Sequence, residues 1–426
     1  MTLPVGYRRI DMARERSAEF FAIDAWAFAL PDAEVSAAAI AETVDWSRSR
    51  GVETVQTSEN DQGEPGQGEL VAVHSAYPYD MRVPGGTVPA SGLTWVGVHP
   101  AHRRRGILSS MIDDHFTRSR ERGESVSTLF AAETTIYQRF GYGLACPVYH
   151  LTLPRGADFR ELPGSEDLRL RLEDADLAKH SSDVRKVLAR DARPGAMSTL
   201  GDAMLANLFF DPESTRDGLE RSRIAIVEDG DGPAAFALFQ RKLSYGASGA
   251  TGTGESTQGW AAATAASERR MWSVLADLDL MTSMRVTSVA LDSPLLHLLT
   301  DVRSVVANMR DQVWLRILDV PGALTARTYL KDVDVTIGVE DSRIAENSHP
   351  WRFIVEDGVA TVERAERDAS TDVRLSIQEL STAYLGGTTL DALAAAGLVD
   401  EVRPGAVAEL SDAFRSRLAP RGSLHF

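Results

Sequence analysis

Cysteine is almost absent from this sequence: Cys146 is its one example in 426 residues. A single thiol forms no internal disulfide, which excludes a disulfide-stapled extracellular scaffold and fits a reducing compartment. No apolar run approaches the roughly 20 residues of a membrane-spanning helix, and no apolar signal core follows the arginines of the N-terminal segment. We therefore expect a soluble, cytoplasmic protein with no membrane partner.

Basic residues are also scarce, because 45 Lys and Arg face 61 Asp and Glu, for a net charge of −16. An acidic surface repels phosphate backbones and anionic lipid, so nucleic acid is excluded as the expected partner. Cationic small molecules and basic peptides fit the charge better.

The length and composition indicate several folded domains. At about 100–200 residues per domain, the chain divides into two to four. Strand-like and helix-like patterns alternate throughout, which favours the α+β class. We expect three segments, with bounds at residues 1–156, 157–303 and 304–426.

Within these segments, residues 105–122 read as a helix with one apolar side, and residues 93–98 read as a strand before it. Residues 82–90 read as turns, and residues 60–68 as a polar turn between strands. The Gly-, Ser- and Thr-rich stretch 244–259 reads as a mobile loop.

The most informative stretch is a strand that ends at Val98, followed by the basic run Arg103–Gly106 and then a helix. A helix N-terminus presents free N–H groups and the positive end of its dipole, and arginines add fork-shaped donors. This pattern predicts a turn that binds phosphate or pyrophosphate. A basic helix cap exposed to water is the alternative.

Several runs resemble one family. The strand, the RRRG turn and the helix are similar to the acetyl-CoA-binding unit of GNAT N-acetyltransferases. The run IYQRFGYG at 136–143, the run SPLLHLLTDVR at 293–303 and the run WLRILDVPGAL at 314–324 resemble the Eis-type aminoglycoside acetyltransferases of that superfamily, as does a terminal Phe426. The resemblance spans nearly the whole chain.

The resemblance implies a fold of two GNAT-like mixed α/β domains in tandem, followed by a sterol-carrier-protein-like α+β domain. The first domain would be catalytic, the second would lack a cofactor turn, and the third would send the chain terminus into the first domain's site. It further implies acetyl-CoA as cosubstrate, no metal, an aminoglycoside or other polyamine as acceptor, and a homohexamer.

Cofactor-binding residues follow from the same resemblance. Backbone donors for the pantetheine arm would be Val96, Gly97 and Val98. The pyrophosphate would be held by Arg104, Arg105, Gly106, Ile107, Leu108 and Ser109, with Leu108 standing where the family usually has Gly or Ala. Ala132 and Glu133 would line the opposite side, and an ordinary strand-to-helix turn is the alternative for these two.

Catalysis is assigned by the resemblance to two residues. The α-carboxylate of Phe426 would take the proton of the acceptor amine, through a water, and a frayed tail is the alternative. Tyr137 would protonate the leaving thiolate, because a phenol keeps its proton at neutral pH. Tyr142 lies five residues further on and is the neighbour with which Tyr137 could be confused.

Three further residues are candidates for the acceptor side: Trp26, Trp95 and His425. Aromatic residues flank a wide acidic pocket in the family, and burial in the core is the alternative for both tryptophans. His425 stands where relatives often carry an acid, and so weakens the negative field there.

Two other signals fail. The run GATGTGES at 249–256 has phosphate-loop spacing, but Glu255 replaces the lysine that such a loop requires. His99, His102 and His115 match no standard metal-ligand spacing.

The leading hypothesis is therefore an acetyl-CoA-dependent N-acetyltransferase that acts on polycationic amines, with aminoglycosides foremost. A protein or peptide lysine acetyltransferase is the first alternative, and a non-enzymatic lipid-binding protein is the second.

Overall fold

The computed structural model of the protein describes residues 3–28, 37–55, 68–246 and 249–426. The expected polar turn at 60–68 lies almost wholly outside these residues. The first part of the chain forms β1 (Tyr7–Asp11), α1 (Ser17–Phe28), α2 (Ala37–Ile40), β2 (Arg50–Thr54), β3 (Leu70–Val83), β4 (Gly86–Val98), α3 (Ile107–Glu121), β5 (Val126–Leu129), α4 (Thr134–Gln138) and β6 (Gly143–Pro154).

The remaining elements complete two sheets. The middle part forms β7 (Arg169–Asp174), α5 (Leu177–Arg190), α6 (Asp202–Leu208), β8 (Arg223–Asp229), β9 (Gly232–Gly246), β10 (Gly249–Ala262), α7 (Ala265–Leu275), β11 (Met281–Val289), α8 (Pro294–Leu298) and β12 (Val306–Ile317). The last part forms α9 (Val320–Thr325), β13 (Val333–Glu340), β14 (Pro350–Glu356), β15 (Val359–Arg364), β16 (Val373–Ser376), α10 (Ile377–Ala383), α11 (Leu390–Ala395), β17 (Val399–Glu401) and α12 (Ala406–Phe414).

The amphipathic pattern of the third helix places it as expected. Its apolar residues Ile107, Met111, Ile112 and Phe116 are buried against the sheet. A glycine with a left-handed backbone conformation stands at each end of the helix. Gly106 is the N-cap, and Gly123 follows the last turn.

A twelve-stranded sheet joins the first two segments, in the order β1-β2-β3-β4-β5-β12-β6-β11-β10-β9-β8-β7. β12 lies between β5 and β6 and pairs with both in antiparallel fashion. A strand from residues 306–317 thus completes the sheet of the first segment. The sequence-predicted bounds at 156 and 303 stay predictions.

The two halves of this sheet repeat one unit. β4 runs parallel to β5 with α3 as the crossover, and β10 runs parallel to β11 with α7 as the crossover. Each parallel pair ends a series of antiparallel strands. This shared topology agrees with the expectation of two similar domains in tandem.

Two regions expected to be irregular are strands instead. β3 and β4 continue through 82–90 and meet at a tight turn, and β9 and β10 extend through most of 244–259 as a hairpin. Methionines of β11 lie over the small residues of β10: a Cβ on Gly254 would be 2.6 Å from Cε of Met284, so a larger residue there would require this methionine to shift. Backbone pairing on both edges outweighs the low strand propensity of glycine.

The last segment forms a five-stranded sheet in the order β15-β14-β13-β16-β17, packed against its own helices. Arg316 of β12 joins the two sheets, because its buried guanidinium donates two hydrogen bonds of 2.7 Å to Asp341. In the described part of the chain, no helix is both long enough and apolar enough to cross a membrane.

Candidate active site

The site begins where two parallel strands separate. β4 and β5 pair only through Ala90, Ser91 and Gly92, opposite residues 126–128. Beyond that point, Trp95 and Val96 face the single residue His74 of β3, and Trp95 has a φ of 55°. This β-bulge turns the end of β4 away from β5 and opens a fork in the sheet.

A cleft of about 470 Å³ lies in this fork. The expected cofactor residues that line it are Val96, Val98, Arg104, Gly106, Ile107, Leu108, Ser109, Ala132 and Glu133, and Tyr137 joins them. The structure therefore brings together two strand ends, a helix start and a phenol from four separate elements.

The helix start in the cleft has the geometry of an anion site. Gly106 has a φ of 83°, and a Cβ there would meet no atom within 4 Å, so glycine is needed for the backbone angle and not for space. The first turn of α3 leaves N–H groups that have no partner within the helix. Among the described residues, the guanidinium groups of Arg103 and Arg104 have no ion-pair partner. These residues fit a pyrophosphate group.

At two of the expected cofactor residues the side-chain position faces away from the cleft, while their predicted role is a backbone contact. Gly97 faces α1, where a Cβ would be 3.2 Å from Cβ of Ala27. Arg105 donates a hydrogen bond of 2.8 Å to the hydroxyl of Tyr7. The side chain of Arg105 is therefore engaged outside the cleft.

Five lining residues were not expected at the cofactor: Ala27, Phe28, His102, Ile136 and Arg139. Arg103, which belongs to the basic run predicted to bind phosphate, lines the cleft as well. Arg139 had a usable signal, because it is a basic residue inside a motif already singled out. The two residues of α1 had none, since only the tertiary fold brings this helix to the fork.

Tyr137 lies on α4 at the cleft wall, and burial raises the pKa of its phenol to about 12, with the carboxylate of Glu133 adding to the rise. It therefore stays protonated at neutral pH. Tyr142 is fully buried, and its hydroxyl pairs with Oγ of Ser127 at 2.7 Å. Of the two tyrosines, Tyr137 is the one that lines the cleft.

Phe426 reaches the base of the same fork. Its ring centroid is 5.8 Å from Tyr77, 6.2 Å from Tyr79 and 4.9 Å from Phe130. Gly92 makes room for it, because a Cβ there would be 2.6 Å from Cζ of Phe426. The last residue of the third segment thus lies at the point where β4 and β5 part.

A second cavity of about 310 Å³ lies beside the C-terminal tail. It is lined by Phe130, Ala131, His150, Gly259, Thr287, Ser288, Asp311, Gln312, Ser423, Leu424 and His425. Asp311 accepts a hydrogen bond from the indole of Trp314 at 2.8 Å. Burial lowers the pKa of both His150 and His425, and Asp311 is the acidic side chain among the lining residues.

The remaining acceptor-side candidates are dispersed. His425 lines the second cavity and lies 4.2 Å from the ring of Phe130. Trp26 is 63 % exposed, with its edge against His99. Trp95 packs against two phenylalanines of α1, which agrees with the alternative that this tryptophan belongs to the core. Within the described residues, Trp26 and Trp95 line neither of the two cavities.

Comparison with known protein families decides the class of this site. Two parts of the chain, 9–145 and 206–317, match acetyltransferase (GNAT) domains, and residues 320–421 match a sterol carrier protein domain. An uncharacterized N-acetyltransferase of Streptomyces avermitilis is 37 % identical over 355 residues, which cover 82 % of this chain and 85 % of the relative. The N-acetyltransferase Eis of Mycobacterium tuberculosis is 30 % identical over 355 residues, which cover 81 % and 83 %.

The chain belongs to the Eis-type GNAT N-acetyltransferases. The crystal structure of Eis1 from Mycobacterium abscessus agrees, with a TM-score of 0.80 at 27 % identity over 99 % of this chain and 100 % of that one. The expected fold of two GNAT-like domains and a sterol-carrier-like domain is confirmed, and so is acetyltransferase activity.

Proposed function

We propose that this Eis-type enzyme transfers the acetyl group of acetyl-CoA to amines of polycationic acceptors, with aminoglycosides foremost. The observation that carries the proposal is that one fork in the sheet holds an anion-binding helix start, a protonated tyrosine and the last residue of the chain. A thioester, an acid and a base are the groups that acetyl transfer to an amine requires.

Cofactor binding follows from the strand and the turn. The exposed edge of β4 at Val96–Val98 would pair with the amide groups of the pantetheine arm, as a further strand would. The pyrophosphate would lie at the start of α3, near Arg103, Arg104 and Arg139. Acetyl-CoA supplies the activated acetyl group.

Bond changes in the transfer are assigned to three groups. The acceptor nitrogen attacks the thioester carbon, and its proton passes to the α-carboxylate of Phe426, directly or through a water. The N–H of Val98 is the candidate donor to the tetrahedral oxyanion. The C–S bond then breaks, and Tyr137 donates its proton to the departing thiolate.

The acceptor would enter from the second cavity, which adjoins the tail at His425. Its lining offers hydroxyl groups at Thr287 and Ser288, and the Asp311 carboxylate. This suits a hydroxylated, cationic molecule. The histidine at 425 leaves the cavity with less negative charge than an acid would.

Two assays test the acceptor class. Acetyl-CoA consumption is measured with kanamycin-type amines and with a lysine-containing peptide, and mass spectrometry of the products counts the acetyl groups. Faster turnover on the aminoglycosides is expected. Faster turnover on the peptide would favour the lysine acetyltransferase alternative, and no turnover on any amine would favour lipid binding.

Three variants test the chain end. Deleting Phe426 or extending the chain with a tag moves or neutralises the carboxylate, and each should lower kcat by about 10²–10⁴-fold. Phe426→Leu keeps the carboxylate and should cost less. Parental rates in the deleted and tagged enzymes would show that the base lies elsewhere.

We also propose the homohexamer of the sequence analysis. The first six residues of β12 are exposed in the single chain, and Val306 and Met309 among them are 59 % and 66 % exposed. Apolar side chains on a strand inside a sheet fit a contact with another copy. Light scattering that returned the mass of one 46.3 kDa chain would contradict this assembly.

A further inference from the structure

The second GNAT-like domain contains a fork like that of the first. β10 and β11 pair in parallel from Gly252 to Glu255 and then separate, with α7 as the crossover. Beyond the fork, β11 is irregular at Thr287 and Ser288, and Ser288 has a φ of 57°. By topology this is the place where the first domain has its cleft.

The helix start beside this second fork is closed. Only residues 263–264 separate β10 from α7, whereas residues 99–106 separate β4 from α3. Thr264 and Ser267 form a capping box, in which the N–H of Ser267 donates to Oγ1 of Thr264 and the N–H of Thr264 donates to Oγ of Ser267. The turn that would hold a pyrophosphate is therefore missing.

The C-terminal tail enters the second fork instead, beside the cavity of about 310 Å³ that Gly259, Thr287 and Ser288 help to line. Leu424 is buried and forms an antiparallel bridge with Gly259 of β10. A Cβ on Gly259 would be 2.8 Å from the carbonyl oxygen of Ser423, so the two backbones lie in close contact. The tail thus pairs with the edge of β10 beyond the point where β11 separates from it.

Arg421 fixes the tail in this position. Its guanidinium donates to Oδ2 of Asp191 at 2.7 Å, and both side chains are 2 % exposed. It also lies 4.1 Å above the ring of Trp260 and donates to the carbonyl oxygen of that residue. A buried ion pair of this kind is costly to break on one side, because the remaining charge is left without a partner.

The next two tail residues are held in register as well. Gly422 exchanges two hydrogen bonds of 2.9 Å with the side-chain amide of Gln312 on β12. The hydroxyl of Ser423 accepts from the N–H of Met197 at 3.0 Å. Only Leu424 and His425 separate these contacts from Phe426 in the first domain's fork.

We propose that the second GNAT-like domain acts as the receptor of the C-terminal tail. Segment 421–424 occupies its fork in place of a cofactor, and the Arg421–Asp191 pair is the positioning contact that sets Phe426 in the catalytic fork. The positioning role of the pair rests on the proposed use of the Phe426 carboxylate; the receptor role does not.

Two readouts test the proposal on the full-length enzyme. Release of Phe426 by a carboxypeptidase that prefers aromatic ends reports on the tail, and kcat reports on catalysis. Arg421→Met and Asp191→Asn should each speed the release and lower kcat by about 10–100-fold, the effect of a displacement near 1 Å, with acetyl-CoA affinity unchanged. Arg421→Lys keeps the charge and should recover part of kcat.

Two more variants complete the experiment: one that disturbs the tail without changing a charged residue, and one that serves as a matched control. Gly422→Ala places a Cβ 2.8 Å from Cγ2 of Val313 and 3.2 Å from Nε2 of Gln312, so it should loosen the tail without leaving a buried charge. Asp229→Asn breaks the Arg190–Asp229 pair of the same domain, which does not contact the tail in the part of the chain that the structure describes, and should change neither readout. Thermal unfolding confirms that each variant is folded.

The outcomes separate this inference from the proposed function. Faster release with unchanged kcat would uphold the receptor role and overturn the catalytic use of Phe426. Unchanged release in the Arg421, Asp191 and Gly422 variants would overturn the receptor, whether or not kcat falls.

Discussion

Gly92 sits where the fork opens, and replacing it with alanine tests whether the position of Phe426 controls catalysis. The added Cβ would lie 2.6 Å from Cζ and 2.8 Å from Cε2 of the Phe426 ring. Carbon atoms in contact are normally about 3.5–4.0 Å apart, so the ring must retreat by about 1 Å. The ring is enclosed by Tyr77, Tyr79 and Phe130, so the terminal residue must move as a whole.

Because a misplacement of this size costs about 100-fold in rate, Gly92→Ala should lower kcat by that order. The second substitution Phe426→Leu removes the ring atoms that the new Cβ meets and keeps the carboxylate. The double variant should therefore be faster than Gly92→Ala alone, although each single change is harmful.

Steady-state kinetics with one acceptor gives kcat for the four members of this cycle. Gly201→Ala is the control, since a Cβ at Gly201 would meet only Pro78, at an ordinary 3.9 Å. A parental kcat for Gly92→Ala, or a double variant slower than both singles, would refute the argument from ring position.

Three further predictions address the acid, the cofactor turn and a buried carboxyl. Tyr137→Phe should lower kcat by about 10²–10⁴-fold, and calorimetry should show an unchanged affinity for acetyl-CoA. Tyr142→Phe should lower the free energy of unfolding by about 1 kcal/mol and should lower kcat less than Tyr137→Phe does. Equal losses of kcat in the two variants would contradict the assignment of Tyr137. Gly106→Asp should weaken acetyl-CoA binding more than Gly106→Ala does, because both substitutions strain the backbone and only Asp repels phosphate. Gly123→Asp is the control, since Gly123 also has a left-handed conformation but lies outside the cleft, and it should leave the affinity for acetyl-CoA unchanged. Burial raises the pKa of Asp24 to about 7, so this carboxyl lowers stability as pH rises from its unfolded-state pKa to that value. Asp24→Asn should raise the unfolding free energy at about pH 8 by at most about 4 kcal/mol, and by less at about pH 5; equal gains in urea titrations at both pH values would contradict the shift.

The sequence by itself determined the local part of the site. A strand, three arginines, a glycine and an amphipathic helix are contiguous, so the turn at Arg103–Gly106 and the helix after it could be predicted from neighbouring residues. The motif around Tyr137 is equally local. The acidic composition also needed no structure, because it depends on residue types alone.

Strand pairing was where sequence reasoning failed. The stretch 244–259 looks like a loop because glycine and serine have low strand propensity, yet pairing with β9 and β11 makes most of it a strand. Similarly, nothing in the local sequence of β12 indicates that this strand inserts between β5 and β6.

The tertiary structure alone decided how distant residues share one site. Phe426 meets Gly92 across more than 300 positions of sequence, and Arg421 meets Asp191 across 230. Such contacts depend on close packing of distant surfaces, and no local sequence pattern indicates which residues will meet. The fork of the first domain therefore exists only after β4 and β5 have paired, and the ring pocket and the tail receptor exist only after the C-terminal segment has packed against the first two domains.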